Sequence, residues 1–280
     1  MRKRGKTAAA DAYVPAQPTS ARLYDYLLGG RDNFAVERSY GERIVASVPA
    51  VPAGVRAQRA VLRRATRYLV ADAGIRQLLD IGAGLPAKDN VHEVAQRIDP
   101  ATRVVYLDND PTVVVHAHAR LAENPATIAV HGDLRDPAGI TAHPLVRAHL
   151  DWNQPIGLLM CGVLLHIMDD EGPAELTAAL IDALPSGSYV FIQHLLDVDD
   201  PATARMKHFM VRAFGRVQFR TLDQVRALFG GLELVEPGLV PVPQWRPDED
   251  EDEDEDAGAP GREGRPGPLG LACAGLARKP

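Results

Sequence analysis

The stretch LLDIGAG, Leu78 to Gly84, sets a carboxylate two residues ahead of the first of two glycines spaced one apart, at the end of an apolar run. Glycines in that spacing let a strand turn sharply into a helix and let a ligand approach the backbone. With Ala87 they satisfy G-x-G-x-x-A, a pattern that cradles a dinucleotide pyrophosphate, and Asp108 ends the next apolar run, where a ribose-binding acid would stand. Gly82 and Gly84 alone therefore leave a nicotinamide dinucleotide open. Asp80 favours a different ligand. An anion beside phosphates is repelled, whereas S-adenosylmethionine carries an ammonium and a sulfonium and no phosphate, so a carboxylate at this turn is complementary to it.

Further candidates fall at the ends of later apolar runs. Asp108, with Asn109 beside it in VVYLDND, can accept from both ribose hydroxyls, a role either cofactor could use. Asp133, followed by Leu134 in HGDLRDP, can accept from an adenine amino group while the adjacent backbone meets the ring edge. An acid at each of three successive strand ends is a series that an adenosyl-sulfonium ligand explains economically. Cys161 and Gly162 close the fourth run, and His166 follows in LLHIMDDE. An imidazole near its ordinary pKa takes a proton at neutral pH, so His166 is a candidate general base, with a positioning role as the alternative; His194 is a second candidate. Upstream, YDYLLGGRDNF offers Tyr24, Tyr26, Asn33 and Phe34 as parts of a lid over a cation, or simply as an amphipathic helix packed on the sheet. No His/Asp/Glu cluster has metal-ligand spacing, so no metal is expected.

Elements that could position these residues follow from periodicity. Ser20 is a plausible N-cap for a first helix that Gly29 and Gly30 stop, and a second helix is expected over about 34–48. Pro52 suits the first turn of a third, whose apolar positions recur at three and four residues until Gly74. From there short apolar runs alternate with helical stretches: 77–81, 103–107, 127–130, 156–165 and 189–192 read as strands. Such near-continuous apolar strands indicate a parallel sheet covered on both faces. Helices are expected over about 200–214 and 221–229, then LELVEPG as a sixth strand and the C-terminal LGLACAGLARKP as a seventh.

The 280-residue chain suits one core domain. Residues 1–17 read as a disordered tail, and 241–268, rich in Pro, Gly and acids, as a loop insertion with no route to a core. Nine acids at 248–256 outweigh the net charge of −6, leaving the rest formally +3, so charge says little about partners. Two cysteines, no hydrophobic signal core after MRKRGK and no long apolar run point to a cytoplasmic protein without a membrane partner.

Through LLDIGAG, VVYLDND, HGDLRDP and GLLMCGVLLHIMDD in that order, the chain resembles the class I S-adenosylmethionine-dependent methyltransferases. PTSARLYDYLLGGRDNFAVER, NVHEVAQ and LVEPGLVPVPQWRP resemble more narrowly an actinobacterial S-adenosyl methyltransferase family long known only as a domain of unknown function. The resemblance implies an α/β, Rossmann-like seven-stranded sheet whose last strand is antiparallel and inserts beside the fifth. It further implies the cofactor S-adenosylmethionine above strands one, two and four, and backbone contacts from Cys161 and Gly162 to its methionine part. On the reading of the residues themselves, 18–74 are expected to form an N-terminal helical lid or cap and 75–280 the core. The small-molecule O-methyltransferases with LHDW at the position of LHIM use that histidine as a base; here Ile167 and Met168 replace Asp-Trp. No Asn/Asp-Pro-Pro-aromatic motif follows the fourth strand, which argues against nucleic-acid bases as acceptors. The expectation is methyl transfer to oxygen or nitrogen of a small molecule. The rivals are a non-catalytic sensor that binds the same cofactor and a nicotinamide-dependent oxidoreductase.

Overall fold

The structure is a computed structural model that describes residues 17–121, 123–247 and 271–280. Residues 1–16 and 248–270, which include most of the expected tail and the whole acidic run, lie outside the described residues.

Among the described residues three α-helices precede the sheet. Helix α1, Ser20–Leu27, is capped by Thr19 rather than Ser20: the Thr19 hydroxyl accepts from the Arg22 amide at 3.4 Å, and Ser20 is already helical. Gly29 ends the element at φ +80. Helix α2 spans Ala35–Ser47. The buried Glu37 carboxylate accepts from the amides of Phe34 at 2.9 Å and Thr19 at 3.1 Å, tying the starts of α1 and α2 together. Helix α3, Val51–Arg67, has Pro52 in its first turn, where no amide is needed, and runs into one π-helical turn, Tyr68–Asp72, before Gly74 at φ +70.

The sheet contains β1 Gln77–Ile81, β2 Arg103–Asp108, β3 Thr127–His131, β4 Gly157–Cys161, β5 Tyr189–Leu195, β6 Glu233–Leu234, β7 Val240–Pro241 and β8 Ala272–Arg278. Its order is β3-β2-β1-β4-β5-β8-β6, with β7 also paired to β8. Strands β1 to β5 pair in parallel, and β8 runs antiparallel beside β5, from Tyr189↔Arg278 to Leu195↔Ala272. Because β1 connects outward to β2 and the chain later returns to β4 on its other side, the order reverses between β1 and β4, opening a crevice at their carboxyl ends.

Helices α4 Val91–Ile98, α5 Pro111–Leu121, α6 Pro137–Ala142, α7 Pro144–His149, α8 Pro173–Ala183, α9 Pro201–Phe214 and α10 Leu222–Ala227 are the remaining α-helices of the described residues. Both sheet faces are buried. Leu78, Leu159 and Phe191 pack with Val61, Leu62 and Ala65 of α3, whereas Leu79, Leu158 and Ile192 pack with Ile140, Val146 and Leu180 on the other side. This is the period-two alternation of a doubly covered sheet.

Three expectations are corrected. The fourth strand ends at Cys161, not near 165, because Gly162 at φ +77 turns the chain into a 3₁₀ turn, Val163–His166. Among the described residues the sheet has eight strands rather than seven, because β7 adds a second short pairing to β8 beside that of β6. The segment from 241 is not wholly without a core: Val242 and Trp245 are buried, and Arg64 donates to the carbonyls of both at 2.9 Å. The composition of the full stretch hid two apolar anchors at its start.

Candidate functional site

The first loop needs its glycines. Gly82 and Gly84 sit at φ +73 and +68, and a Cβ on Gly82 would lie 2.5 Å from the Val163 side chain. The Gly82 amide donates to the Leu107 carbonyl at 2.8 Å, locking the loop to the end of β2. There Asp108 accepts from the amides of Gly84 and Asp110, each at 2.9 Å and on different carboxylate oxygens. Each oxygen keeps a lone pair for a ligand hydroxyl. Burial pushes the Asp108 carboxyl up, and these N–H groups hold it back. Asp133, after β3, accepts from the Arg135 amide at 2.9 Å and the Asn109 side-chain amide at 3.4 Å. Burial raises its pKa, but the two hydrogen bonds and the Arg135 charge prevail and hold it low. Leu134 is buried beside it.

Asp80 is 4% exposed, yet its carboxylate accepts no hydrogen bond from any described residue. Burial pushes it up to about 7, with Arg59 opposing and Asp108 reinforcing. A buried acid without a donor costs stability in the free protein and is complementary to a cationic ligand. Arg59 of α3 lines the same cavity, held by its bonds to the carbonyls of Lys88 and Asp89, both at 3.1 Å. Asp80 and Arg59 are together suited to the ammonium and the carboxylate of an amino-acid moiety. The Tyr24 hydroxyl donates to the Val55 carbonyl at 3.4 Å, and burial raises its pKa. Burial likewise pushes the Cys161 thiol up to about 12, with Asp80 adding to the effect, so it stays a thiol. Gln58 and Gln193 pair beside it at 3.0 Å.

His166 faces the cavity from the 3₁₀ turn, its ring edge-on to Phe214 at 5.8 Å. Burial and the Arg135 charge lower its pKa, so the ring is neutral at pH 7, and its nitrogens bond to no described residue. His194 is different. Arg220, which can only donate, reaches its Nε2 at 2.9 Å, so Nδ1 carries the proton and gives it to the Leu195 carbonyl at 2.7 Å. With its lone pair occupied and its pKa pushed down to about 4 by burial, His194 is structural, not a base.

Around these groups lies a cavity of about 920 Å³, between the strand ends and a roof of α1–α3 and α9. It brings together Tyr24, Asp80, Gly82, Gly84, Asp108, Asn109, Asp133, Leu134, Cys161, Gly162 and His166. Tyr26, Asn33 and Phe34 do not line it. The Tyr26 ring covers Gly41, where a Cβ would lie 2.2 Å away; the Asn33 amide donates to Asp25 at 2.8 Å; Phe34 stacks under Arg22 at 4.9 Å. Sequence reasoning missed Arg59 and Gln58, because nothing in the polar face of α3 distinguishes the positions that overhang the strands. Among the described residues no His/Cys/Asp/Glu group could hold a metal, and no helix is long and apolar enough to cross a membrane.

The sequence profile of the S-adenosyl methyltransferase family matches residues 6–279. The chain belongs to that family. This S-adenosyl methyltransferase is similar to a Thermobifida fusca protein with a provisional methyltransferase assignment, at 38% identity and TM-score 0.86, over 94% of this chain and 95% of that one. It is similar also to a DUF574 family protein of Streptomyces avermitilis, at 34% identity and TM-score 0.86, over 94% and 98% of the two chains. A mitomycin 7-O-methyltransferase shares the fold at TM-score 0.50 and 14% identity, over 92% of this chain and 68% of that one. No curated protein matches the chain. The protein is an S-adenosylmethionine-dependent methyltransferase. The buried carboxylate of Asp80 that no described donor meets, the glycine cradle and the free lone pairs of Asp108 fit that cofactor; the oxidoreductase alternative falls with the family.

Proposed function

We propose that the protein methylates an oxygen or nitrogen atom of a small molecule, with the cofactor seated along the ends of β1, β2, β3 and β4. When bound, S-adenosylmethionine supplies an electrophilic methyl group on a sulfonium. Asp80 binds the ammonium and Arg59 the carboxylate of its amino-acid end, Gly82, Gly84, Cys161 and Gly162 give it close backbone approach, Asp108 and Asn109 hold the ribose, and Asp133 with Leu134 holds the adenine. Tyr24 closes the amino-acid end under α1. His166, neutral and without a hydrogen-bond partner among the described residues, takes the proton of the acceptor. Enclosure between the strand ends and the helical roof excludes water and holds the acceptor in line with the methyl carbon.

The observation that carries this reading is the buried, donor-less carboxylate of Asp80 facing a cavity large enough for two ligands. Calorimetric titration with S-adenosylmethionine, S-adenosylhomocysteine and NAD in parallel tests it: micromolar binding of the adenosyl ligands without NAD is expected. Binding of the cofactor with no methyl transfer to any acceptor, together with a partner protein recruited only when the cofactor is bound, would favour the sensor reading instead.

A further inference from the structure

We infer that the methyl acceptor is an uncharged, largely apolar ring compound that presents one weakly acidic hydroxyl to His166. The inference rests on the methyltransferase reading and concerns the part of the cavity that the cofactor groups leave over. At about 920 Å³ the cavity is at the top of the range of roughly 300–1,000 Å³ typical of single-ligand pockets, so it has room for cofactor and acceptor together.

The charged groups without a partner of opposite sign gather at one end of it. Arg59, Asp80, Asp108, Asp110 and Asp133 stand on the side of the strand ends. Away from Tyr24, Gln58 and Arg59 the roof is mostly apolar: Leu23, Leu27, Ile44, Val48, Val51 and Val55 line it from α1, α2 and α3. Met206 and Phe214 of α9 pack against these residues, and with Met210, Phe219 and Leu165 they continue the apolar lining. Thioethers and ring edges make an adaptable surface for a flat apolar body. The charged side chains near His166 are already engaged with each other. Arg135 meets Glu171 at 2.6 Å, and Arg216 meets Asp170 at 2.7 Å.

A charged acceptor would therefore lose its hydration on entering and find no unengaged counter-charge in this wall. A sugar would leave several hydroxyls facing Val, Leu and Met side chains. An aliphatic amine enters protonated at neutral pH, with a pKa of about 10.4, and meets no uncommitted carboxylate beyond the strand ends. What remains is an uncharged ring system with a single donor for the imidazole. A phenolic or enolic hydroxyl, ionising near about 10 in the case of tyrosine, is acidic enough for a neutral histidine to assist. The hydroxyl proton passes to a ring nitrogen of His166. An oxygen lone pair forms the new O–CH₃ bond as the S–CH₃ bond breaks, and the sulfur keeps that bonding pair. The products are a methyl ether, S-adenosylhomocysteine and an imidazolium that returns its proton to solvent.

The experiment saturates the full chain with S-adenosylhomocysteine, measured by calorimetry, and then titrates umbelliferone, naphthol and hydroxyflavone against lysine, glucose and adenosine. Methyl transfer from S-adenosylmethionine is followed for the same six compounds. Saturable binding and methylation of at least one neutral phenol, with none of the polar three, is the expected result. Met206→Glu and Met210→Glu should each weaken phenol binding at least tenfold while S-adenosylhomocysteine still binds within twofold, which also shows that the variants fold. His166→Gln should lower methyl transfer at least a hundredfold with phenol binding within threefold. If S-adenosylhomocysteine binds but no phenol does, or a polar compound is methylated instead, the inference is overturned and the methyltransferase reading stands. If S-adenosylhomocysteine itself does not bind, it is that reading which fails.

Discussion

Asp80 concentrates the chemistry of the free protein. Its carboxyl titrates at about 7 when folded against 3.8 ordinarily, because burial penalises the charge and no described donor relieves it. Between those pH values the folded state keeps a proton that the unfolded chain has lost, so stability falls as pH rises through that window and the full penalty is present above 7. At 1.36 kcal/mol per pKa unit the penalty is on the order of 4 kcal/mol. Asp80→Asn should therefore make the cofactor-free protein more stable than wild type at pH 8, with the difference gone below about pH 4, as chemical denaturation at several pH values will show. The same substitution should weaken S-adenosylhomocysteine, whose ammonium needs the anion. In the wild type that affinity should drop with falling pH below about 7, approaching tenfold per unit, and the slope should be absent in the variant. Asp108→Ala removes an acceptor for the ribose hydroxyls and should cost about 1.5 to 3 kcal/mol of binding in calorimetry, the scale of hydrogen bonds to a charged group.

Two turns set the geometry of these side chains. The first loop passes so close to Val163 that Gly82→Ala combines a left-handed conformation with a 2.5 Å clash. The conformation alone costs about 1 to 2 kcal/mol, so thermal denaturation should show at least that loss, and adding Val163→Ala should recover only a fraction of the steric part, because the Val163 Cβ that alanine keeps itself stands 2.5 Å away. The turn that carries His166 hangs on Arg220, 1% exposed, which donates to the carbonyls of Leu164 at 2.8 Å and Ile167 at 2.7 Å and to Asp169 at 2.9 Å. Arg220→Met should lose about 1.5 to 3 kcal/mol of stability per charged hydrogen bond left unreplaced. Because the ends of β1 to β4 are untouched, kcat should fall further than S-adenosylhomocysteine affinity, a split that separates positioning of His166 from general damage.

The whole molecule joins two packing units around one space: α1–α3 close on α9 through Leu23, Ile44, Val48 and Val55, with Met206, Phe209 and Phe214, and this cluster roofs the crevice of the sheet. A roof that clamps a ligand stabilises the assembly by mass action, so S-adenosylhomocysteine at a hundred times its Kd should add about 2.7 kcal/mol. Residues 248–256, nine consecutive acids, lie outside the described residues. Their deletion shifts the formal charge from −6 to +3 and should leave S-adenosylhomocysteine affinity within twofold. A larger loss in calorimetry would mean that the acidic run reaches the site.

Local pattern was sufficient for the strand ends and the loops behind them. Gln77–Ile81 is a strand in both readings, because an apolar run closed by Asp-x-Gly-x-Gly can hardly be anything else in an α/β chain, and Asp80, Asp108 and Asp133 all stand where their strands end. The alternation of short apolar runs with helices determined the parallel sheet, and the family motifs determined the cofactor. Tertiary structure alone decided which face of each helix meets that sheet. Tyr24 lines the cavity and Tyr26, two residues on, covers Gly41, since a helix turns about 200° in two residues. It decided likewise that Arg59 overhangs Asp80, that Arg220 occupies His194 and leaves His166 uncommitted, and that Trp245 anchors a segment whose composition reads as loop. Each of these depends on a contact between residues far apart in the chain, and no local propensity or spacing carries that information.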